Sequence, residues 1–244
     1  MKVLLYNLAY CTGVDGSVPK YLSRNFNHVL PWARKKTGIV DRVEEMLDRE
    51  QPDVCCFAEI DCDSPLIARL QRHYPYSNVS HKYAKDGWHQ RCPVIRKKGN
   101  AVFSKRPCTM EKHYFPSGTK RLLYEVSVEN GPSVFASHFS LGHRTRTKQI
   151  EFLSEIVHSR KKPTVVCGDF NIFRGISELR SLIEKTGLVL ANNPEHGTFP
   201  SHRPKKLLDL FLHSPDLPVA SMRVLNDVRL SDHLPIVLEL ALQR

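Results

Sequence analysis

Residues 132–173, PSVFASHFSLGHRTRTKQIEFLSEIVHSRKKPTVVCGDFNIF, change periodicity twice. The apolar run that ends near His138 reads as a strand. Ile150, Leu153, Ile156 and Val157 then recur on one helix face, and PTVVCGDF returns to a buried strand. The same succession runs from KVLLYNLAY, through a helical face of Ile39, Val40, Val43, Met46 and Leu47, to PDVCCFAEI. GNAVFSK, RLLYEVSV, LLDLFLH and PIVLELAL add hairpin-like strand runs. Crossovers mixed with antiparallel ribbons predict two sheets covered by helices. Two further helices are expected, one capped by Ser64 with Pro65 in its first turn, and one using Ile176, Leu179, Leu182 and Ile183 that exits at Gly187.

The chain of 244 residues suits one domain with a substantial core. Apolar residues make up 41% and charged residues 25%, which excludes a disordered or low-complexity chain. The apolar start is interrupted at Asn7, too early for a signal peptide, and no run approaches a membrane span, so a soluble, cytoplasmic protein is expected. Seven cysteines without a C-x-x-C pair fit reduced thiols better than disulfides or a zinc ribbon. The net charge of +11 makes an anionic partner plausible, although each short basic group, KR at 120–121 among them, reads first as a solvated face. Residues 9–36 and 80–98 resist assignment and are expected to be substrate-facing loops.

Asn7, Glu59, His138, Asp169, Asn171, Asp209, Asp232 and His233 share one property: each follows or interrupts an apolar strand run. One such residue alone is ordinarily a loop cap. A whole set in one domain points to a common site, because a buried, unpaired charge costs several kcal/mol and must find a cation, a donor or solvent. Phosphoester hydrolysis needs this inventory. A hard divalent cation on carboxylates offsets the repulsion between an attacking hydroxide and the phosphate. A carboxylate or an oriented histidine relieves the water of its proton, and carboxamides add donors without more negative charge.

YN near the start, FAEI, GNAVFSK, ASHFSL, VVCGDFN, LLDLFLHS and LSDHLPIVLEL match in type, order and spacing the motifs of the endonuclease/exonuclease/phosphatase (deoxyribonuclease I-like) superfamily, which the chain resembles from residue 3 to about residue 240. The resemblance implies an α/β fold, a four-layered sandwich of two packed mixed sheets flanked by helices. It implies that Glu59 is the principal ligand of Mg²⁺, with Mn²⁺ a possible substitute, and that Asn7 and Asp232 lie close to the metal. Asp169 and Asn171 would position or deprotonate water, and Asp209 would orient His233, with the choice of base between Asp169 and His233 left open. His138 would contact a phosphate oxygen or assist the leaving group, and Asn100 would support the site through a hydrogen bond at its substrate-binding edge. A histidine at 138 disfavours an abasic-site role, for which a tyrosine motif is usual. Leu210 stands where many members have histidine or tyrosine, a departure expected to alter the pocket wall.

Arg144 and Arg146 are candidate substrate-phosphate ligands, since they open the helix after His138, where the start of a helix already favours anions. Arg121 and Lys97 have weaker claims. His196 and His202 lack the spacing of a zinc site. Trp32, Tyr83 and Trp88 could stack on a base or enter a lipid surface, with packing the simpler role. The expected protein is a monomeric, Mg²⁺-dependent phosphodiesterase without a covalent intermediate, with a nuclease favoured over a phospholipid or inositol-phosphate esterase. A non-catalytic domain binding an anionic partner would be expected to have lost Glu59, Asp169, Asp232 or His233, and all four are present.

Overall fold

The structure, a computed structural model, describes residues 1–13, 33–82 and 97–241, and for 33–37 the backbone alone. Trp32, Tyr83 and Trp88 lie outside the described residues, as do most of the two segments expected to be loops.

Among the described residues, twelve strands form two six-stranded sheets. The first contains β1 (Lys2–Asn7), β2 (Val54–Asp61), β3 (Tyr76–His81), β4 (Lys98–Ser104), β11 (Val219–Val224) and β12 (Ile236–Leu240), in the order β11-β12-β1-β2-β4-β3. The second contains β5 (Cys108–Tyr114), β6 (Leu122–Val128), β7 (Ser133–His138), β8 (Thr164–Asp169), β9 (Val189–Leu190) and β10 (Asp209–His213), in the order β5-β6-β7-β8-β10-β9. Each sheet has one parallel pair, β1 with β2 and β7 with β8, and the other pairings are antiparallel. The parallel pairs are the two crossovers read from the sequence. Their helices are α1 (Ala33–Glu50) and α3 (His143–Ser159).

Alternation along the strands builds the layers. In β1, Val3 and Leu5 join a core between the sheets with Val54, Cys56, Val134 and Val165. Leu4 and Tyr6 face the other way, into a core shared with Val40, Val43 and Met46 of α1 and Leu66 and Leu70 of α2 (Pro65–His73). The outer face of the second sheet packs Phe135 and Val166 against Ile150 and Leu153 of α3 and Leu182 of α4 (Arg180–Thr186). Each such side chain contributes about 1.5–3 kcal/mol by leaving water.

The Ser64 hydroxyl accepts from the Leu66 amide at 3.3 Å and caps α2. The expected helix over Ile176–Ile183 is divided, a 3₁₀ turn over Ile176–Leu179 followed by α4. Gly187 ends α4 with a left-handed backbone at φ 69°, its amide donating to the Ile183 carbonyl. The six cysteines among the described residues are free thiols, and no described helix is long and apolar enough to cross a membrane.

Candidate active site

The parallel pairs aim their carboxy-terminal ends the same way. β1 ends at Asn7, β7 at His138 and β8 at Asp169, with His138 and Asp169 partners in register. β10 runs antiparallel to β8, so its first residue, Asp209, faces Asp169. Gly168, just before Asp169, allows β8 to come close to β7: a Cβ there would lie 2.2 Å from the Ser137 carbonyl oxygen. The glycine in VVCGDF is therefore required by the strand pairing that positions the carboxylate.

Glu59 is aimed by a different device. An extra residue between Phe57 and Ile60 bulges β2 against β4, and Glu59 takes φ 50°. The Asn100 side-chain oxygen accepts the Glu59 amide at 3.1 Å and holds the bulge, while the Asn100 carbonyl accepts from Tyr124. Asn100 thus supports Glu59 through the backbone.

A chain of polar contacts crosses from one sheet to the other. Asn7 Nδ2 donates to Asp169 Oδ2 at 3.0 Å, and the Asn7 side-chain oxygen accepts the Ala9 amide. His138 Nε2 lies 3.1 Å from Asp169 Oδ2, and His138 Nδ1 lies 3.8 Å from Glu59 Oε1. Asp169 Oδ1 accepts the Asn171 amide at 3.1 Å, and Asn171 Nδ2 donates to the Phe139 carbonyl. Asn171 takes φ 52°, a left-handed conformation that asparagine tolerates. His233 Nδ1 meets Asp209 Oδ2 at 2.7 Å, while His233 Nε2 points toward Asp169 at 3.8 Å. Thr198 Oγ1 accepts the Asp209 amide. Ser231 donates to Asp232 Oδ1 at 3.2 Å, and the charge of Asp232 is felt by both His233 and Lys120.

Electrostatics separates these groups. Burial would raise the Asp169 pKa, but His233, His138 and Lys120 outweigh it and hold the carboxyl well below the usual range. Burial opposes charge on His233, yet Asp209, Asp169 and Asp232 push its pKa up to about 10. Burial, with Lys120 adding to it, lowers His138. Burial raises Asp209. Glu59 is lowered, since His138 and Lys120 overcome its burial.

Sequence reasoning did not single out Lys120. Its ammonium lies against His138 Nε2 and 3.9 Å from Glu59 Oε1, and burial lowers its pKa. Lys82, also lowered by burial, feels Glu59 as well. The structure does not bring Arg146 to this cluster. Arg146 is fully buried, its Nε and Nη2 donate to Glu178, and its Nη1 donates to the carbonyls of Ser140 and Leu141. Arg144 is exposed in the first turn of α3. Arg121 donates to the Phe115 carbonyl, and Lys97 pairs with Asp63 at 3.2 Å. Leu210 is buried in the core against α3 and α4, away from the pocket wall.

The donor chemistry suits a hard divalent cation. Glu59, Asn7 and Asp232 carry oxygen donors, and among the described residues the ion-pair contacts of the Glu59 carboxylate, to His138 and Lys120, are both long. Asp169, Asp209 and His233 also bring ligand atoms within 4.8 Å of one another. The short bond between Asp209 and His233 already engages both of those side chains.

A model of the Endonuclease/Exonuclease/phosphatase family matches residues 25–233. No curated protein matches the chain. Among solved structures, the chain is similar to the human Nocturnin catalytic domain with bound sulfate, at 18% identity and TM-score 0.71 over 100% of this chain and 93% of that one. It is also similar to a mannosyl-6-phosphatase of Bacteroides thetaiotaomicron, at 16% identity and TM-score 0.68 over 99% and 100% of the two chains. A third is sphingomyelinase C of Streptomyces griseocarneus, at 19% identity and TM-score 0.65 over 98% of each chain. At these identities the likeness is one of fold.

Proposed function

Because the chain belongs to the Endonuclease/Exonuclease/phosphatase family, whose members hydrolyse phosphoesters, we propose that it is a Mg²⁺-dependent phosphodiesterase that acts on nucleic acid by direct attack of water. The observation that carries this reading is the polar chain Asp209–His233–Asp169–His138, which brings an oriented imidazole and an ionised carboxylate to one edge of both sheets.

Glu59 and Asp232, with Asn7, would hold Mg²⁺, or Mn²⁺ on the same oxygens, which would supply charge neutralisation at the phosphate. The chain's own groups divide the remaining work. Asp209 fixes the ring orientation of His233 and keeps it cationic, so the Nε2 proton of His233 donates to a phosphate oxygen. On the other side of that imidazolium from Asp209, 3.8 Å from its Nε2, Asp169 stays ionised and takes the water proton. The water oxygen bonds to phosphorus, the ester P–O bond breaks, and the departing alkoxide takes a proton from solvent. Asn171 holds Asp169 through its amide, and His138 and Lys120 face the phosphoryl oxygens as donors. Arg144 is the remaining candidate for a more distant phosphate, whereas Arg146 is committed to Glu178.

The net charge of +11 supports a polyanionic substrate, whose binding would weaken steeply with salt. The test is a hydrolysis panel with Mg²⁺ and Mn²⁺: single- and double-stranded DNA, RNA, bis-p-nitrophenyl phosphate, sphingomyelin and inositol phosphates. Nucleic acid should be cleaved fastest, and Glu59→Gln and Asp169→Asn should each abolish turnover while the protein stays folded. A preference for a monoester, or for sphingomyelin over every nucleic acid, would refute the assignment.

A further inference from the structure

An aromatic series leads from the candidate active site to the surface. The Phe199 ring lies 4.9 Å from the ring of His233, and Phe173 meets Phe199 edge-on at 6.5 Å and 90°. Phe173 is two residues beyond Asn171 and is 41% exposed. Through Phe199 the open face of Phe173 is therefore continuous with the imidazole of His233. The loops that carry the two rings are cationic: Arg174 follows Phe173, and Arg203, Lys205 and Lys206 follow Phe199, all four exposed.

We infer that Phe173 and Phe199 form a stacking platform for an unpaired nucleobase next to the scissile phosphate, making single-stranded nucleic acid the substrate class. The inference rests on the nuclease reading above and adds to it the strandedness and the base contact. Aromatic faces accept any base because every base has a π-face, while cations on the same loops follow the backbone phosphates. A base inside a duplex is stacked on both sides and offers no free face, so the platform selects unpaired or extruded bases. A bilayer would call for a broader apolar surface. The other large exposed apolar side chains among the described residues, Tyr76, Tyr114, Leu141 and Val189, sit on other elements, and the surroundings of Phe173 are charged. DNA and RNA share the base and phosphate chemistry, and separate arms of the test distinguish them.

The experiment measures binding in EDTA of three single-stranded decamers: a DNA and an RNA containing 2-aminopurine, and a DNA in which tetrahydrofuran residues replace the central nucleosides. The wild-type protein should bind at least one base-bearing strand more tightly than the baseless one, with quenching of 2-aminopurine. Phe173→Ala should weaken base-bearing binding by about 5- to 150-fold and leave baseless binding unchanged, and Phe173→Trp should restore it. Phe173 is exposed, so the variants keep the fold. Equal binding of base-bearing and baseless strands by the wild type, or equal loss on both in Phe173→Ala, overturns the platform. In that case continued Mg²⁺-dependent cleavage of the strands leaves the nuclease reading standing. If the wild type cleaves neither DNA nor RNA but hydrolyses sphingomyelin vesicles, the nuclease reading fails and the platform falls with it.

Discussion

The carboxylate of Asp209 never faces solvent, yet it sets the charge of the imidazole beside it. Removing it in Asp209→Asn should let the His233 pKa fall from about 10 toward its ordinary value, which NMR titration of the ring would record, and should reduce kcat by about 10²- to 10⁴-fold. Lys120→Met removes an ammonium that faces Glu59 and His138, and a lost charged contact to phosphate should reduce kcat/KM by roughly 10- to 100-fold. Lys120 was hard to find in the sequence because its place depends on tertiary structure. In the primary structure it is half of a KR pair among several basic groups, and only the pairing of β6 with β7 brings it beside His138. Arg146 misled in the opposite direction. Its position just after a histidine strand suits anion binding, but Glu178, 32 residues further on, closes over its guanidinium. Arg146→Ala should therefore cost about 3 kcal/mol of stability in denaturant unfolding, because the buried Glu178 carboxylate keeps only the Arg174 amide and a 3.7 Å contact to His143. Arg144→Ala should instead raise KM without moving the unfolding midpoint.

At the level of elements, the interior of both sheets was legible and the edges were not. The eight runs read as strands are β1, β2, β4, β6, β7, β8, β10 and β12, and all of them have neighbours on both sides. The four that the reading missed, β3, β5, β9 and β11, are the four sheet edges. A strand covered on both faces must be apolar throughout, which writes a plain signal, whereas an edge strand can stay polar. Along β5, CTMEKHY, no residue is buried, and β3 reads YSNVSH. The polar residues at strand ends were legible for the same reason, since they interrupt runs that are otherwise unbroken. The bulge that turns Glu59 inward left no comparable mark, because its cause is the register between β2 and β4. Gly168→Ala tests how tightly the elements are set. A methyl group 2.2 Å from the Ser137 carbonyl must push β8 from β7, lowering stability by about 1–3 kcal/mol or more and displacing Asp169, so activity should fall alongside the melting temperature.

For the molecule as a whole, the site should make stability depend on pH in the metal-free protein. The His233 pKa is raised on folding, so its contribution is complete below about pH 6.5 and is lost as pH rises toward about 10. Asp169 is lowered on folding, so its contribution is present above about pH 3.9 and is lost as pH falls further. Asp209, raised by burial, works against Asp169 on the acid side. Melting temperatures in EDTA should decline on the alkaline limb, and His233→Gln should flatten that limb. The order of the strands carries a consequence for synthesis. The first sheet is built from both ends of the described chain, with β12 inserted between β11 and β1, and Asp232 and His233 come just before β12. A nascent chain on the ribosome therefore releases His138, Asp169 and Asp209 before His233, which follows the end of β10. Until those last residues emerge from the tunnel, the carboxylates of the second sheet await the imidazole that the first sheet's closing strand brings.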